Sequence, residues 1–172
     1  RDDIVVFSIC FFLLLTEIYK QIFLYKGSGD RYNWGSFPFQ LCSIPMYLGT
    51  IGPFIRNEKV KNTIYKYLAY TGTIGGLAIM LIPNVCLSKL AFLSMHSMIW
   101  HSFLVFLGFY LIRSRDLGKT IFKGTLAPGM ILFVVMSIAL ILNFALYPIA
   151  QKNGHGFNMI SLSYYQKNDP AI

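Results

Sequence analysis

Of the three cysteines and three histidines in this sequence, Cys42, His96 and His101 are the candidates for nucleophilic chemistry. Cys42 lies in the segment Phe-Pro-Phe-Gln-Leu-Cys-Ser-Ile-Pro, near the start of an apolar stretch. A thiol becomes an acyl nucleophile when a base or a helix N-terminus favours the thiolate. His96 and His101 lie in a later apolar stretch, and each could supply the base. A buried cysteine is more often a packing residue, so the pairing is a hypothesis that neighbouring residues must support.

The spacing of the two histidines separates them around a helix. Five residues correspond to about 140°, so we expect only one of them to face Cys42. The same spacing is not the i, i+4 pattern of a zinc-binding helix, and no third ligand accompanies it, so we predict neither a metal nor a cofactor. Counted inward at about 1.5 Å per residue, Cys42 is about 7 Å deep, His96 about 9 Å and His101 about 17 Å, which by itself favours His96.

Glu17 is an acidic residue within the first apolar stretch. An ionised carboxylate at this depth of a bilayer costs about 2.5 to 3.5 kcal/mol, so it needs a partner or a proton. Lys20 and Gln21 follow three and four residues later and share its helical face. We therefore predict that Glu17 faces the protein interior, either as an internal ion pair or as part of a polar cavity.

The composition excludes an ordinary soluble domain. Of 172 residues 55% are hydrophobic and 13% are charged, against roughly a quarter charged in soluble domains. The net charge of +8 comes from short basic clusters between long apolar runs, not from one basic face, so no nucleic acid partner is expected. The three cysteines do not form a disulfide framework.

Five apolar runs are each about 20 residues long, the length that a helix needs to cross a bilayer. We predict an all-α polytopic transmembrane bundle for residues 1–149, followed by a polar extracytoplasmic tail over 150–172 that leads toward a missing helix. Pro45, Pro53 and Pro128 predict kinks, and Gly72 and Gly76 predict a face that another backbone can approach closely. The predicted helices are A (about 4–25), B (about 37–55), C (about 63–82), D (about 90–112) and E (about 120–147).

Short segments of the sequence resemble the YwaF-like integral membrane proteins, which are related to the transmembrane protein 164-type acyltransferases. The resemblance covers most of the chain and implies a seven-helix protein of the bacterial plasma membrane, of which this fragment lacks the first and last helices. It also implies transfer of a fatty acyl chain between membrane lipids by a cysteine and a histidine. The matching residues are 15–21 in A, 38–44 in B, Tyr67 to Gly72, Gly75, Gly76 and Pro83 in C, and His101, nine residues before Tyr110, in D.

By position, this resemblance makes Cys42 the nucleophile and His101 the base. We therefore favour His101 over His96, since a tilted or kinked helix B can absorb much of the difference in depth. The leading hypothesis is a phospholipid acyltransferase that acts on membrane lipids through a Cys42 thioester. Glu17 or Gln21 is expected to orient the imidazole, and Gln40 or Ser43 to donate a hydrogen bond to the oxyanion. His96 is expected to bind substrate.

Two other classes of function fit the same composition. A small membrane transporter, or the substrate-binding membrane subunit of one, would use Glu17, Gln40 and His101 to bind its ligand, and Cys42 would be incidental. A structural or assembly factor would need no small ligand. Neither oligomeric state nor the acyl donor and acceptor follows from the sequence.

Loop charges predict the orientation in the membrane. The start of A and the B/C and D/E loops carry seven Lys and Arg residues, whereas the opposite side carries five. The positive-inside rule thus places the B/C and D/E loops in the cytoplasm. In intact cells, a cysteine introduced at Gly29 should react with a membrane-impermeant reagent and one at Asn57 should not. The reverse labelling pattern would show that the topology is inverted.

Overall fold

The computed structural model describes residues 1–29, 31–82, 90–117 and 126–152, and within these ranges the chain is helical with no strand. The all-α prediction is confirmed for this part of the chain. The predicted polar tail from residue 153 onward lies outside the described residues. The helices are α1 (Asp2–Gly27), α2 (Ile44–Ile51), α3 (Glu58–Tyr70), α4 (Gly76–Leu81), α5 (Ala91–Ser114) and α6 (Leu126–Lys152).

Helices α3 and α4 form one continuous rod, because a π-helical turn, Thr71–Gly75, joins them. The described residues therefore form five helical rods, in the order that the five apolar runs predict. Two of them, α5 and α6, are long and apolar enough by themselves to cross a membrane. Side chains on the outer faces of both helices are apolar and exposed, as in Phe106 and Phe133, which suits contact with lipid chains.

The first half of predicted helix B is not helical. Residues 37–43 form a turn, and α2 begins only at Ile44, with Ser43 as its N-cap residue. Proline explains the difference: Pro38 disfavours a helical residue before it, and Pro45 occupies the first turn of α2, where its missing N–H is not needed. The prediction that helix B spans residues 37–55 is therefore wrong in its first seven positions.

Other prolines that were predicted to kink a helix lie at or beyond the end of one. Pro53 lies in a short 3-10 turn after α2, and Pro128 is the third residue of α6. Neither lies in a helix interior, nor does Pro45, so the predicted kinks at these three residues are wrong. Helix α6 instead continues through Pro148 to Lys152. The α3 rod begins five residues before the predicted start of helix C, because the Asn57 side chain accepts hydrogen bonds from the first-turn N–H groups.

A seam of small residues joins the α3/α4 rod to α5. A Cβ atom added at Gly72 would lie 2.6 Å from the carbonyl oxygen of Leu104, and one at Gly76 would lie 3.3 Å from that of His101. Gly108 of α5 faces Thr73 of the rod equally closely. The predicted close approach at Gly72 and Gly76 is confirmed, and it fixes α5 against the rod at the level of His101.

Charged side chains lock the two aspartates at the start of α1 to α3 and to the end of α5. Asp3 accepts a hydrogen bond from the Tyr65 hydroxyl at 2.6 Å and another from Lys61 Nζ at 3.0 Å. Asp2 accepts from Arg115 Nε at 3.1 Å, and the Arg115 guanidinium also covers the Tyr65 ring at 4.4 Å. Three elements that the predicted topology places on one side of the membrane thus meet at one end of the bundle.

Gly72→Ala should destabilise the protein by about 1 to 3 kcal/mol, because the added methyl group has no room against the α5 backbone. Gly75→Ala is the matched control, since a Cβ atom there meets nothing within 4 Å. The control should be neutral or stabilising by up to about 1 kcal/mol. Thermal unfolding of both variants in detergent would measure the difference. Equal unfolding temperatures for the two variants would contradict the seam.

Asp3 should make the stability of the protein pH-dependent. The Tyr65 hydroxyl, more than the charges of Lys61 and Arg115, lowers the pKa of the Asp3 carboxyl below its usual value of 3.8, against the opposing effect of burial. The folded state then holds this proton less tightly than the unfolded state, so the stabilisation is present above about pH 4 and is lost as the pH falls further.

Asp3→Asn should therefore lower the unfolding temperature at neutral pH and flatten its decline between about pH 5 and pH 3. Glu58→Gln is the control, because the Glu58 side chain is 68% exposed and contacts Lys61 only at 3.4 Å. Its unfolding curve should follow that of the unmodified protein. If the unfolding temperatures of Asp3→Asn and the unmodified protein fall in parallel as the pH is lowered, this role for Asp3 is ruled out.

Candidate active site

A cavity of about 260 Å³ lies between α1, the turn before α2, and α5, at the end of the bundle opposite Asp2 and Asp3. Apolar side chains such as Leu24, Phe37 and Leu93 line part of its wall. Six of the seven residues that the sequence analysis singled out also line it, and Gln21 lies directly behind this wall. These six are Glu17, Gln40, Cys42, Ser43, His96 and His101.

Three hydrogen bonds hold the turn that carries Cys42. The Gln21 side chain donates to the Ser36 carbonyl at 2.7 Å, and the Tyr47 hydroxyl donates to the Pro38 carbonyl at 2.9 Å. The Trp100 indole donates to the carbonyl of Cys42 itself at 3.1 Å. The turn is thereby tied to α1, α2 and α5, which puts Cys42 just before the N-terminus of α2 and beside the helix that carries both histidines.

His101 is held in one tautomer. Its Nδ1 lies 2.7 Å from the Ser97 carbonyl oxygen one turn earlier, and a carbonyl can only accept a hydrogen bond. Nδ1 therefore carries the proton and Nε2 has the lone pair of a base. The expectation that Glu17 or Gln21 orients this imidazole is wrong, because the α5 backbone does so.

Both histidines line the cavity, and the expectation that only one of them faces Cys42 stays a prediction. The cavity covers an arc of α5 wide enough to include residues 93, 96, 97, 100 and 101, and His96 and His101 lie at its two edges. The His96 ring lies 5.4 Å from the Trp100 ring, measured between centroids. Its Nε2 atom is buried and has no hydrogen-bond partner among the described residues.

Glu17 faces the interior, as predicted, with 3% of its surface exposed. Its Oε1 atom accepts from Lys20 Nζ at 2.7 Å and from Gln21 Nε2 at 2.8 Å. The ion pair and the cavity lining were alternatives in the sequence analysis, and the structure contains both. A charged pair with a neutral second donor is the arrangement that a carboxylate needs when it is removed from water.

The sequence did not predict the roles of Ser97 and Trp100 in this site, and it predicted only a structural role for Lys20. Ser97 lies four residues before His101, a spacing that places its carbonyl beneath the ring, and this signal could have been used. Trp100 gave no comparable signal, since its partner is a backbone carbonyl 58 residues away. That contact exists only because the turn at Cys42 is not helical.

Comparison with known protein families finds one match: the model of the TMEM164 family matches residues 2–171, which is nearly the whole chain. Neither the curated proteins nor the solved structures contain a match to the chain. The family match and the two apolar helices α5 and α6 together identify a membrane protein.

Proposed function

Because the chain belongs to the TMEM164 family, we propose that it is an integral-membrane acyltransferase that moves a fatty acyl chain from a phospholipid through a thioester on Cys42. The observation that carries the proposal is the shared cavity of Cys42 and His101, in which the imidazole is already the base-competent tautomer. A nucleophile and a base with these properties are the two groups that acyl transfer requires.

In the first half-reaction His101 Nε2 takes the thiol proton, and the Cys42 sulfur attacks the carbonyl carbon of the donor ester. The tetrahedral intermediate collapses, the bond to the glycerol oxygen breaks, and His101 returns the proton to that oxygen. The products are the acyl thioester and a lysophospholipid. In the second half-reaction His101 takes the proton of an acceptor hydroxyl, and the oxygen attacks the thioester carbonyl. The carbon–sulfur bond then breaks, and His101 returns the proton to the Cys42 sulfur, which releases the new ester and regenerates the thiol.

The negative charge of the tetrahedral intermediate needs donors close to the sulfur. Gln40 and Ser43 lie on the same turn as Cys42, line the same cavity and carry N–H and O–H groups. Position on one rigid turn favours them as oxyanion donors, since the geometry between nucleophile and donors is then fixed by the backbone. Glu17 and His96 also line the cavity and are the proposed contacts of the substrate, and Gln21 holds Glu17 from behind the wall.

Binding without chemistry is the alternative that the Glu17–Lys20 pair favours. A buried ion pair in a cavity is also typical of membrane subunits that bind a polar ligand. In that case the ligand would contact Glu17, Gln40 and His101, and Cys42 would have no chemical part. The two functions differ in one property: only the acyltransferase forms a covalent bond to Cys42.

Cys42→Ala should reduce acyl transfer between phospholipids by at least about 100-fold in purified protein, because it removes the nucleophile. Cys42→Ser should retain only a trace, since a hydroxyl needs a stronger base than a thiol. Cys10→Ala is the matched control, because Cys10 is fully buried in the core and does not line the cavity. With Cys86→Ala as the background, an electrophilic lipid probe should label Cys42 in the control and nothing in Cys42→Ala.

The two histidines provide a second comparison in the same assay. His101→Ala should lower the rate of transfer more than His96→Ala, because the Ser97 contact prepares His101 as the base. Unchanged transfer in Cys42→Ala would reject the acyl-enzyme. A ligand-dependent rise in unfolding temperature, without any labelling of Cys42, would favour the binding subunit.

A further inference from the structure

We propose that Lys20 is the anion-binding residue of the cavity and holds a phosphate-type oxyanion of the bound molecule. The position of the reacting acyl group in this proposal rests on the proposed function. The anion-binding role of Lys20 rests on the contacts of its ammonium group. Among the described residues that line the cavity, Lys20 is the one lysine or arginine. An anion that enters this cavity has no comparable partner elsewhere on its wall.

The ammonium of Lys20 still has hydrogen bonds to give. It has three N–H donors, and among the described residues one of them is used, in the contact with Glu17 Oε1 at 2.7 Å. The side chain is 18% exposed, so its charge is largely removed from water but reaches the cavity. A charged donor with unused N–H groups in a partly buried site binds an oxyanion strongly, because little water competes for it.

Glu17 does not prevent this. Its Oε1 atom keeps a second donor in Gln21, whose amide is itself anchored on the Ser36 carbonyl at 2.7 Å. Lys20 can therefore turn toward a ligand while the carboxylate keeps a fixed hydrogen bond. A ligand on the far side of the ammonium is also farther from Glu17 than from Lys20, so attraction exceeds repulsion.

A second observation independently points to a polar ligand. His96 Nε2 is buried, lacks a hydrogen-bond partner among the described residues, and belongs to a residue that lines the same cavity. Buried polar atoms are rarely left without a partner, so an unsatisfied one beside a cavity indicates a group that fills it. Lys20, His96 and Cys42 line one cavity of about 260 Å³, so a single bound molecule can contact all three.

The position of Lys20 along α1 fits a phosphate group of a lipid. Lys20 lies seven residues before Gly27, the end of the helix, which is about 10 Å at 1.5 Å per residue. Phosphates of a bilayer lie in the interfacial layer just outside the hydrocarbon core, at the ends of spanning helices. Lys20 can thus reach a phosphate in the interfacial layer while the ester of the same lipid enters the cavity that Lys20 and Cys42 both line.

The test measures binding in the Cys42→Ala background of the whole chain, so that no transfer takes place. The probes are a short-chain monoacylglycerol phosphate, the monoacylglycerol with the same chain, and inorganic phosphate. We expect the phosphate-bearing lipid to bind at least 10-fold more tightly than the neutral one. Lys20→Gln should reduce this ratio to about one, and Lys20→Arg should largely restore it. Lys26→Gln, on the last turn of α1 and outside the cavity, should leave the ratio unchanged.

Two further measurements make the result decisive. If Lys20→Gln alone unfolds the protein by leaving Glu17 without its counter-charge, Lys20→Gln with Glu17→Gln removes the pair together and is read in its place. Binding of inorganic phosphate that depends on Lys20 would support an oxyanion site that needs no lipid chain. The proposal would be overturned if the parent protein bound the phosphate-bearing and the neutral lipid with about equal affinity. It would also be overturned if the ratio of these two affinities were unchanged in Lys20→Gln. Transfer that persists in Cys42→Ala, alongside Lys20-dependent binding, would reject the proposed function and leave this site standing.

Discussion

The carboxylate of Glu17 lies inside a bundle of apolar helices, and much of the site is arranged around the need to stabilise it. Lys20 supplies the opposite charge and Gln21 supplies a neutral donor. Gln21 also donates to the Ser36 carbonyl, so the same side chain fixes the start of the turn that carries Cys42. Trp100 completes the arrangement by holding the far end of that turn against α5. One buried charge is thus linked through four side-chain contacts to the cysteine and the histidine helix.

Two features at other places keep this arrangement rigid. The glycine seam presses the α3/α4 rod against α5 next to His101, and the contact leaves no space for even a methyl group at Gly72. At the opposite end, Arg115 and Lys61 tie the first residues of α1 to α5 and α3. Helix α1 is therefore held at its start by ion pairs and near its end by Gln21. A site built between helices that are fixed at both ends can keep its groups in place without a ligand.

The lining of the cavity combines two kinds of chemistry. Cys42 and His101 are the proposed nucleophile and base, whereas Lys20, Glu17 and His96 are proposed to hold or orient the bound molecule. Both sets line one cavity, so a substrate that carries a reactive ester and a charged group can contact both of them. The difference in their chemistry is the physical basis for proposing that one set carries out the reaction and the other binds the substrate.

The sequence by itself determined the helical class, the order of the five rods, the interior position of Glu17 and the close approach at Gly72, because each follows from local periodicity or from the cost of burying a charge. It also singled out six of the residues that line the cavity. Only the tertiary structure decided that residues 37–43 form a turn, that Ser97 orients His101, and that His96 and His101 share one cavity. Those outcomes depend on contacts between distant segments, such as Trp100 with Cys42, and on how wide an arc of α5 the neighbouring turn leaves uncovered. The spacing of residues in the sequence predicts their directions around one helix, but it does not predict the shape of the segment that packs against that helix.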